Sequence, residues 1–192
     1  MVTRDQLRAV LARYEAQDVA DHDGLWPAGV LVLVHDHAGE PHIVFQKRTD
    51  RVDAHKGQVS FPGGGHDPGD TGSAFTALRE THEEIGVAPA HVEILGRLDQ
   101  VRTISNFVVT PVVGWLDRFP YEWRLSHDEV AYLIEVPLAH LLDPATFVPD
   151  VRVIDGHEVV VPSYRFGGEL IWGATGRMVA NVLDLCRLVD LE

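Results

Sequence analysis

A single α+β domain, with a mixed β-sheet held between helices, follows from three features of the chain. Apolar runs of strand length are interspersed with segments whose apolar residues recur at helical spacing. Turn signals such as Asp155-Gly156 join neighbouring strand-like runs, which predicts hairpins. No internal repeat, low-complexity tract or linker-like stretch divides the 192 residues, and this length suits one sizeable core. The domain is therefore expected to span residues 1–192.

Taken in order, residues 3–15 predict an amphipathic helix. Thr3 and Gln6 are placed as a capping box, and Leu7, Val10, Leu11 and Tyr14 recur on one face. Residues 17–27 are polar and carry Gly24 and Pro27, so they connect. Residues 28–35 form a near-continuous apolar run, as a central strand does. A turn over 36–39 returns the chain as a strand over 42–48, and His35 and His37 beside that turn are expected to face solvent. A polar loop over 49–57 leads to a short strand over 58–61. Strands follow over 93–101, 107–116 and 130–136. Pro111 interrupts the second of these and predicts an edge or a bulge. Pro137 opens a short helix through Leu142. Residues 151–154 and 157–161 flank the Asp155-Gly156 hairpin signal, 170–172 is a short strand, and 173–189 is a final helix. Cys186 and Trp172 read as core residues of that last segment.

Composition narrows the function. The formal net charge of −13 argues against a general nucleic-acid or anionic-membrane binder, both of which need basic surface. A phosphate-bearing ligand must then be received by local cations or by a metal. The single cysteine excludes an internal disulfide and fits a reducing cytoplasm. No apolar leader follows Met1, and no run approaches the length of a membrane span. The dinucleotide fingerprint fails at Pro68. A phosphate-binding Gly-Lys-Ser/Thr loop, a Gly-x-Ser-x-Gly elbow and a His-Glu-x-x-His zinc motif are all missing.

Chemistry concentrates in the stretch Phe61 to Val87, FPGGGHDPGDTGSAFTALRETHEEIGV. A proline and three glycines precede a helix that Asp70 or Ser73 can cap and Gly86 can end. At about 100° per residue, Ala74, Leu78, Thr81 and Ile85 share one side, and Glu80, Glu83 and Glu84 the other. Three carboxylates without interspersed lysines repel one another by a few tenths of a kcal/mol per close pair (~0.2–0.5). A hard divalent cation shared with substrate phosphates would relieve that repulsion. Gly63, Gly64 and Gly65 permit close backbone approach to a ligand.

These residues resemble the Nudix box, which runs Gly, five residues, Glu, seven residues, Arg-Glu-x-x-Glu-Glu-x-Gly. Arg79, Glu80, Glu83, Glu84 and Gly86 match its second half in full. In the first half the family glutamate falls on Thr71. Asp70 fills the position if one residue is inserted before Arg79, and the opening glycine is then Gly64, which places the box at 64–87. The resemblance implies a Nudix-like α/β/α sandwich and a Mg²⁺- or Mn²⁺-dependent pyrophosphohydrolase. It implies Glu80, Glu83 and Glu84 as metal ligands, the Gly64 carbonyl as a further one, and catalytic roles for Glu83 and Arg79, with Arg79 orienting a loop carboxylate.

The residues before the box resemble the motif of the coenzyme A pyrophosphatase branch. Arg48, Gly57, Phe61, Pro62, Gly63 and Gly64 match in register, Thr49 replaces a small residue, and Asp53 replaces the second arginine. The segment Tyr164 to Arg177 resembles the same branch. Coenzyme A or a derivative is the substrate this implies, with Arg48, Lys56, Gly63 and Gly64 as contacts. NADH, ADP-ribose and nucleoside triphosphates remain alternatives, as does a Nudix-fold nucleotide sensor without catalysis. Glu129, an acid outside the box at a loop-to-strand transition, is the candidate base. The expected partner is a small nucleotide, not nucleic acid or membrane, with a homodimer left open.

Overall fold

The computed structural model describes residues 2–51, 56–154 and 156–189. At its centre lies β1 (Trp26–His37), whose side chains alternate between two covered faces. Leu31 and Leu33 join one core with Ala77 and Ile85, and Val32 and Val34 join a second with Ile43 and Phe45. Burial on both faces explains why this stretch reads as a continuous apolar run and not as an alternation. β1 turns into β2 (Glu40–Arg48) through Ala38 and Gly39, both with positive φ, as a two-residue hairpin turn requires.

The strand β8 (Val130–Pro137) pairs antiparallel with β2, and β7 (Phe107–Leu116) pairs parallel with β1. β5 (Val92–Arg97) and β6 (Val101–Arg102) line the far side of β7, so the sheet is mixed, as expected. The strand predicted over 93–101 is thus two strands. Pro111 is not on an edge: it lies inside β7, opposite the break between β5 and β6, where no ladder N–H is needed. Its carbonyl still accepts from the Leu98 N–H at 2.9 Å.

β1 and β2 pair only from Leu33↔Val44 to His37↔Glu40 and then diverge. Residues 59–65 fill this fork. β3 (Val59–Ser60) pairs with Lys47 and Gln46 of β2, and β4 (Gly63–Gly65) pairs with Ala28 to Val30 of β1. Between them the Pro62 carbonyl accepts from the Leu31 N–H at 2.8 Å. The glycine segment is therefore built into the sheet by its backbone on both sides.

Helix α2 (Ser73–Ile85) covers one face of the sheet, and α1 (Arg4–Leu11) with α4 (Gly173–Val189) covers the other, giving the α/β/α sandwich. The capping box of α1 forms as expected, but the helix ends at Leu11 and not near residue 15. Tyr14 still packs on the core. It keeps the periodicity because its hydroxyl donates to Asp99 and accepts from Asn181, tying the post-helical turn to the sheet. Helix α3 (Leu138–Leu142) follows Pro137.

Two hairpins stand outside the main sheet: β9 (Asp150–Ile154) with β10 (His157–Val161), and β11 (Tyr164–Phe166) with β12 (Glu169–Ile171). Pairing from Ile154↔His157 fits the Asp155-Gly156 turn, although Asp155 itself lies outside the described residues. Glu169 anchors the second hairpin by accepting from Lys47 Nζ at 2.6 Å and from the Tyr132 hydroxyl.

Two exposure readings are corrected. His35 is fully buried, stacked on Phe119 with its Nε2 2.8 Å from Glu135, because β1 runs two residues further than predicted. Trp172 is half-exposed and not a core residue, whereas Cys186 is in the core. No helix among the described residues is long and apolar enough to cross a membrane.

Candidate active site

The site forms where α2 passes over the glycine segment. Gly63 has φ +144°, and a Cβ there would lie 2.4 Å from the Gly29 carbonyl oxygen and 2.5 Å from Val30 Cα. Only glycine fits so close to β1 in that conformation. At Gly64 a Cβ would lie 2.5 Å from the Glu80 carboxyl carbon, so the Glu80 carboxylate rests directly on the loop backbone.

The three glutamates do not share one outward face as the helical wheel suggests. Glu83 is largely exposed, Glu80 is mostly covered, and the Glu84 side chain is only 2% exposed. Glu84 lies one residue round the helix from Glu83, which turns it into the fork. There Oε2 accepts from the Gly63 N–H at 2.8 Å, and Oε1 lies 3.3 Å from Arg48 NH1. Burial pushes the Glu84 carboxyl up from 4.5 to about 7, opposed in part by the Gly63 N–H and by Arg48. Burial also raises Glu80, against the pull of Arg79.

Arg79 organises the outer half. Its Nε and NH2 bond Asp70 at 3.0 and 2.9 Å, a two-pronged pair. NH2 also donates to the Gly65 carbonyl at 3.0 Å, and NH1 reaches Glu80 at 2.8 Å and Glu83 at 3.2 Å. The guanidinium holds the Asp70 carboxyl well below the usual carboxylate range, and Asp70 in turn raises Arg79. Asp70 also accepts from Thr76 Oγ1 and the Asp67 N–H, so it does not cap α2. The cap is Gly72, without a side-chain bond; Ser73 is the first helical residue. The acid displaced by one residue thus meets the box arginine.

Other expected residues gather nearby to differing degrees. Arg48 touches Glu84, as above. Glu129 is half-buried and close enough for its charge to raise Glu80. The Thr49 N–H donates to its carbonyl at 2.9 Å, which ties the strand start to the loop after β2. Lys56 is exposed, and Asp53 lies outside the described residues. Sequence reasoning missed Gln46 and Ser60. They face each other across β2 and β3, and the buried Ser60 hydroxyl has no hydrogen-bond partner among the described residues. The buried Gln46 amide lies close enough to Glu84 to help hold its carboxyl down against burial, although outside ideal hydrogen-bond geometry. The available signal was a break in β2: the face carrying apolar Val44 becomes polar at Gln46 and Arg48.

Among the described residues no three His, Cys, Asp or Glu side chains form a ready-made metal cluster, and Arg79 bonds both Glu80 and Glu83. The donor chemistry nevertheless suits a hard cation. Glu80, Glu83, Glu84 and a backbone carbonyl supply oxygen only, and two of the carboxyls are raised by burial, a state that a bound cation would reverse.

A sequence profile of the NUDIX domain matches residues 25–155. The chain is 36% identical over 157 residues to a protein of Citrobacter koseri named "Uncharacterized Nudix hydrolase NudL", covering 81% of this chain and 80% of that one. A protein of the same name from Salmonella paratyphi B is 38% identical over 147 residues, covering 75% and 72%. Among solved structures, a MutT/nudix family protein from Enterococcus faecalis aligns over 99% of this chain and 76% of that chain, with TM-score 0.57 and 13% identity. A C. elegans Ap4A hydrolase complex aligns over 60% and 82%, with TM-score 0.50 and 22% identity, which speaks for the fold alone. With the fold, the carboxylate helix over the glycine segment and these matches together, the chain belongs to the Nudix family and is one of its pyrophosphohydrolases.

Proposed function

We propose that the enzyme uses Mg²⁺, or Mn²⁺, to hydrolyse the diphosphate of coenzyme A or a derivative. Water adds to phosphorus and the anhydride P–O bond breaks, giving 4′-phosphopantetheine and adenosine 3′,5′-bisphosphate. The observation that carries this reading is the in-register motif from Arg48 to Gly64, whose arginine reaches Glu84 and whose glycines carry α2. Glu80, Glu83, Glu84 and the Gly64 carbonyl would hold the cation, which supplies charge neutralisation at the diphosphate and a lower pKa for water. Arg79 keeps Glu80 and Glu83 oriented through Asp70. Arg48 and Lys56 contact phosphate, and Gly63 lets it approach the backbone. Glu129 accepts the proton of the attacking water.

Asp53 is the observation that favours a second reading. It stands where the branch has an arginine, a planar partner suited to phosphate. ADP-ribose, NADH or a nucleoside triphosphate would need no such partner for a 3′-phosphate. The test is hydrolysis with Mg²⁺ across coenzyme A, 3′-dephospho-coenzyme A, NADH, ADP-ribose and nucleoside triphosphates. Coenzyme A should be turned over with the highest kcat/KM. Preference for the dephospho form would remove the branch assignment, and turnover of none of them would leave a nucleotide sensor.

A further inference from the structure

Four polar side chains meet in the fork beneath α2. Gln46 and Arg48 stand on the face of β2 that carries Val44, and Val44 packs with Leu33, Ala77 and Ile85 under that helix. Ser60 faces Gln46 across the β2–β3 ladder, and Glu84 comes down from α2 onto the Gly63 N–H. Gln46 is 0% exposed and Glu84 2%. Yet both polar atoms of the Gln46 amide, Arg48 Nε and Ser60 Oγ lack a hydrogen-bond partner of good geometry among the described residues. Buried polar atoms left unpaired are costly, and several in one place call for a role that accounts for them.

Donor and acceptor chemistry allows one arrangement of the set. An ionised Glu84 only accepts, and Arg48 only donates. The Gln46 amide must then turn Nε2 toward Glu84, because its oxygen there would oppose the carboxylate. Oε1 is left for the Ser60 hydroxyl or Arg48 Nε, the unpaired donors of the cluster. The amide already lies close enough to help hold the Glu84 carboxyl down against burial. Of the two donors in place on that carboxylate, the Gly63 N–H is at 2.8 Å and Arg48 NH1 is long at 3.3 Å.

We infer that Gln46 is a positioning residue of the cation site: it donates from Nε2 to the Glu84 carboxylate, is itself held through Oε1 by Ser60, and so keeps Glu84 in one orientation toward the cation. This rests on the metal-dependent reading above. A ligand's orientation is set by the groups that bond it from behind. When Arg48 turns to phosphate, Gln46 is the side-chain donor that stays on Glu84.

Mn²⁺ alone, titrated without substrate and followed by its electron paramagnetic resonance signal, reads the site apart from turnover. Gln46→Met keeps the shape of the side chain and removes the amide, and an apolar group suits a buried position. It should melt close to the wild type and bind Mn²⁺ at least about tenfold more weakly. Ser60→Ala should bind it several-fold more weakly. In the Glu84→Gln background, Gln46→Met should change the affinity no further, a coupling that a merely structural role would not produce. Wild-type Mn²⁺ affinity in Gln46→Met overturns the inference, as does an equal loss in both backgrounds. Ser60→Ala removes a single oxygen, so unchanged affinity there overturns the inference if Gln46→Met does not fold. A wild type that binds no Mn²⁺ refutes the metal reading, and the inference falls with it. Binding that Glu84→Gln weakens and the Gln46 and Ser60 variants leave untouched refutes the inference alone.

Discussion

The glycine fork and the β9–β10 hairpin are both pairs of short backbone ladders, but they are held in opposite ways. In the fork, residues 59–65 are paired on both sides, and the buried Glu84 closes the structure from above. Among the described residues the β9–β10 hairpin pairs only with itself, and it leaves Val151, Val153, Val159 and Val160 exposed. The first arrangement leaves the glycine backbone little room to move, the kind of rigidity that a precisely placed site needs. The second is held by its own ladder and leaves apolar side chains in solvent. The difference teaches that short strands are fixed in place by what pairs with and covers them, not by their own length.

Five substitutions or conditions would break or sharpen that contrast. Gly63→Ala should cost the most, about 3–5 kcal/mol, from overpacking against β1 and a positive φ. Urea unfolding would read it, and a loss below about 1 kcal/mol would mean that the fork can open.

The next effect is on pH. Glu84 has a folded pKa raised to about 7 from 4.5, so between those values the native state holds more protons than the unfolded one. Stability of the metal-free protein should therefore fall as pH rises through this window, by up to about 3 kcal/mol. The fall should be absent in Glu84→Gln. Melts in EDTA from pH 4.5 to 7.5 check both, and an equal slope in the variant would assign the effect elsewhere.

Glu83→Gln should lower kcat at least about 100-fold, near 2.7 kcal/mol, with little change in melting because the side chain is exposed. Activity that survived this change and EDTA together would end the metal reading. Glu129→Gln should lower kcat about tenfold or more at unchanged melting temperature if it is the base; near-normal turnover refutes that role. Val153→Lys, on the hairpin, should change stability by no more than about 0.5 kcal/mol, since the side chain is already exposed. A large loss there would show that the hairpin is covered by something in solution.

Much of this was legible before the structure. β7 begins and ends where its apolar pattern does, and α2 stops at Gly86 in the left-handed conformation that favours glycine. β4 was not legible, because Gly-Gly-Gly has no side chain with strand preference and its ladder depends on β1, more than thirty residues away. The burial of Glu84, apart from Glu80 and Glu83 with which the helical wheel groups it, was not legible for a related reason. A buried acid is recognisable only from its partners, and here those are a backbone N–H at Gly63 and a side chain at Arg48. Trp172 read as core because hydrophobic rings usually are, whereas this one borders a cleft made by a hairpin that leaves the sheet.

The fork also changes what a box spacing means. Backbone pairing anchors the chain as far as His66, whose N–H donates to the Pro27 carbonyl, and the helix begins again at Ser73. The six residues between form a tether that turns on the Asp67–Asp70 hydrogen bonds and brings an acid back to Arg79. One residue too many moves the acid to Asp70 and shortens its side chain by one carbon, and the pairing with the guanidinium is kept. Relatives with other tether lengths would be expected to hide their acid at other offsets, so a strict spacing rule would pass over working members of the family.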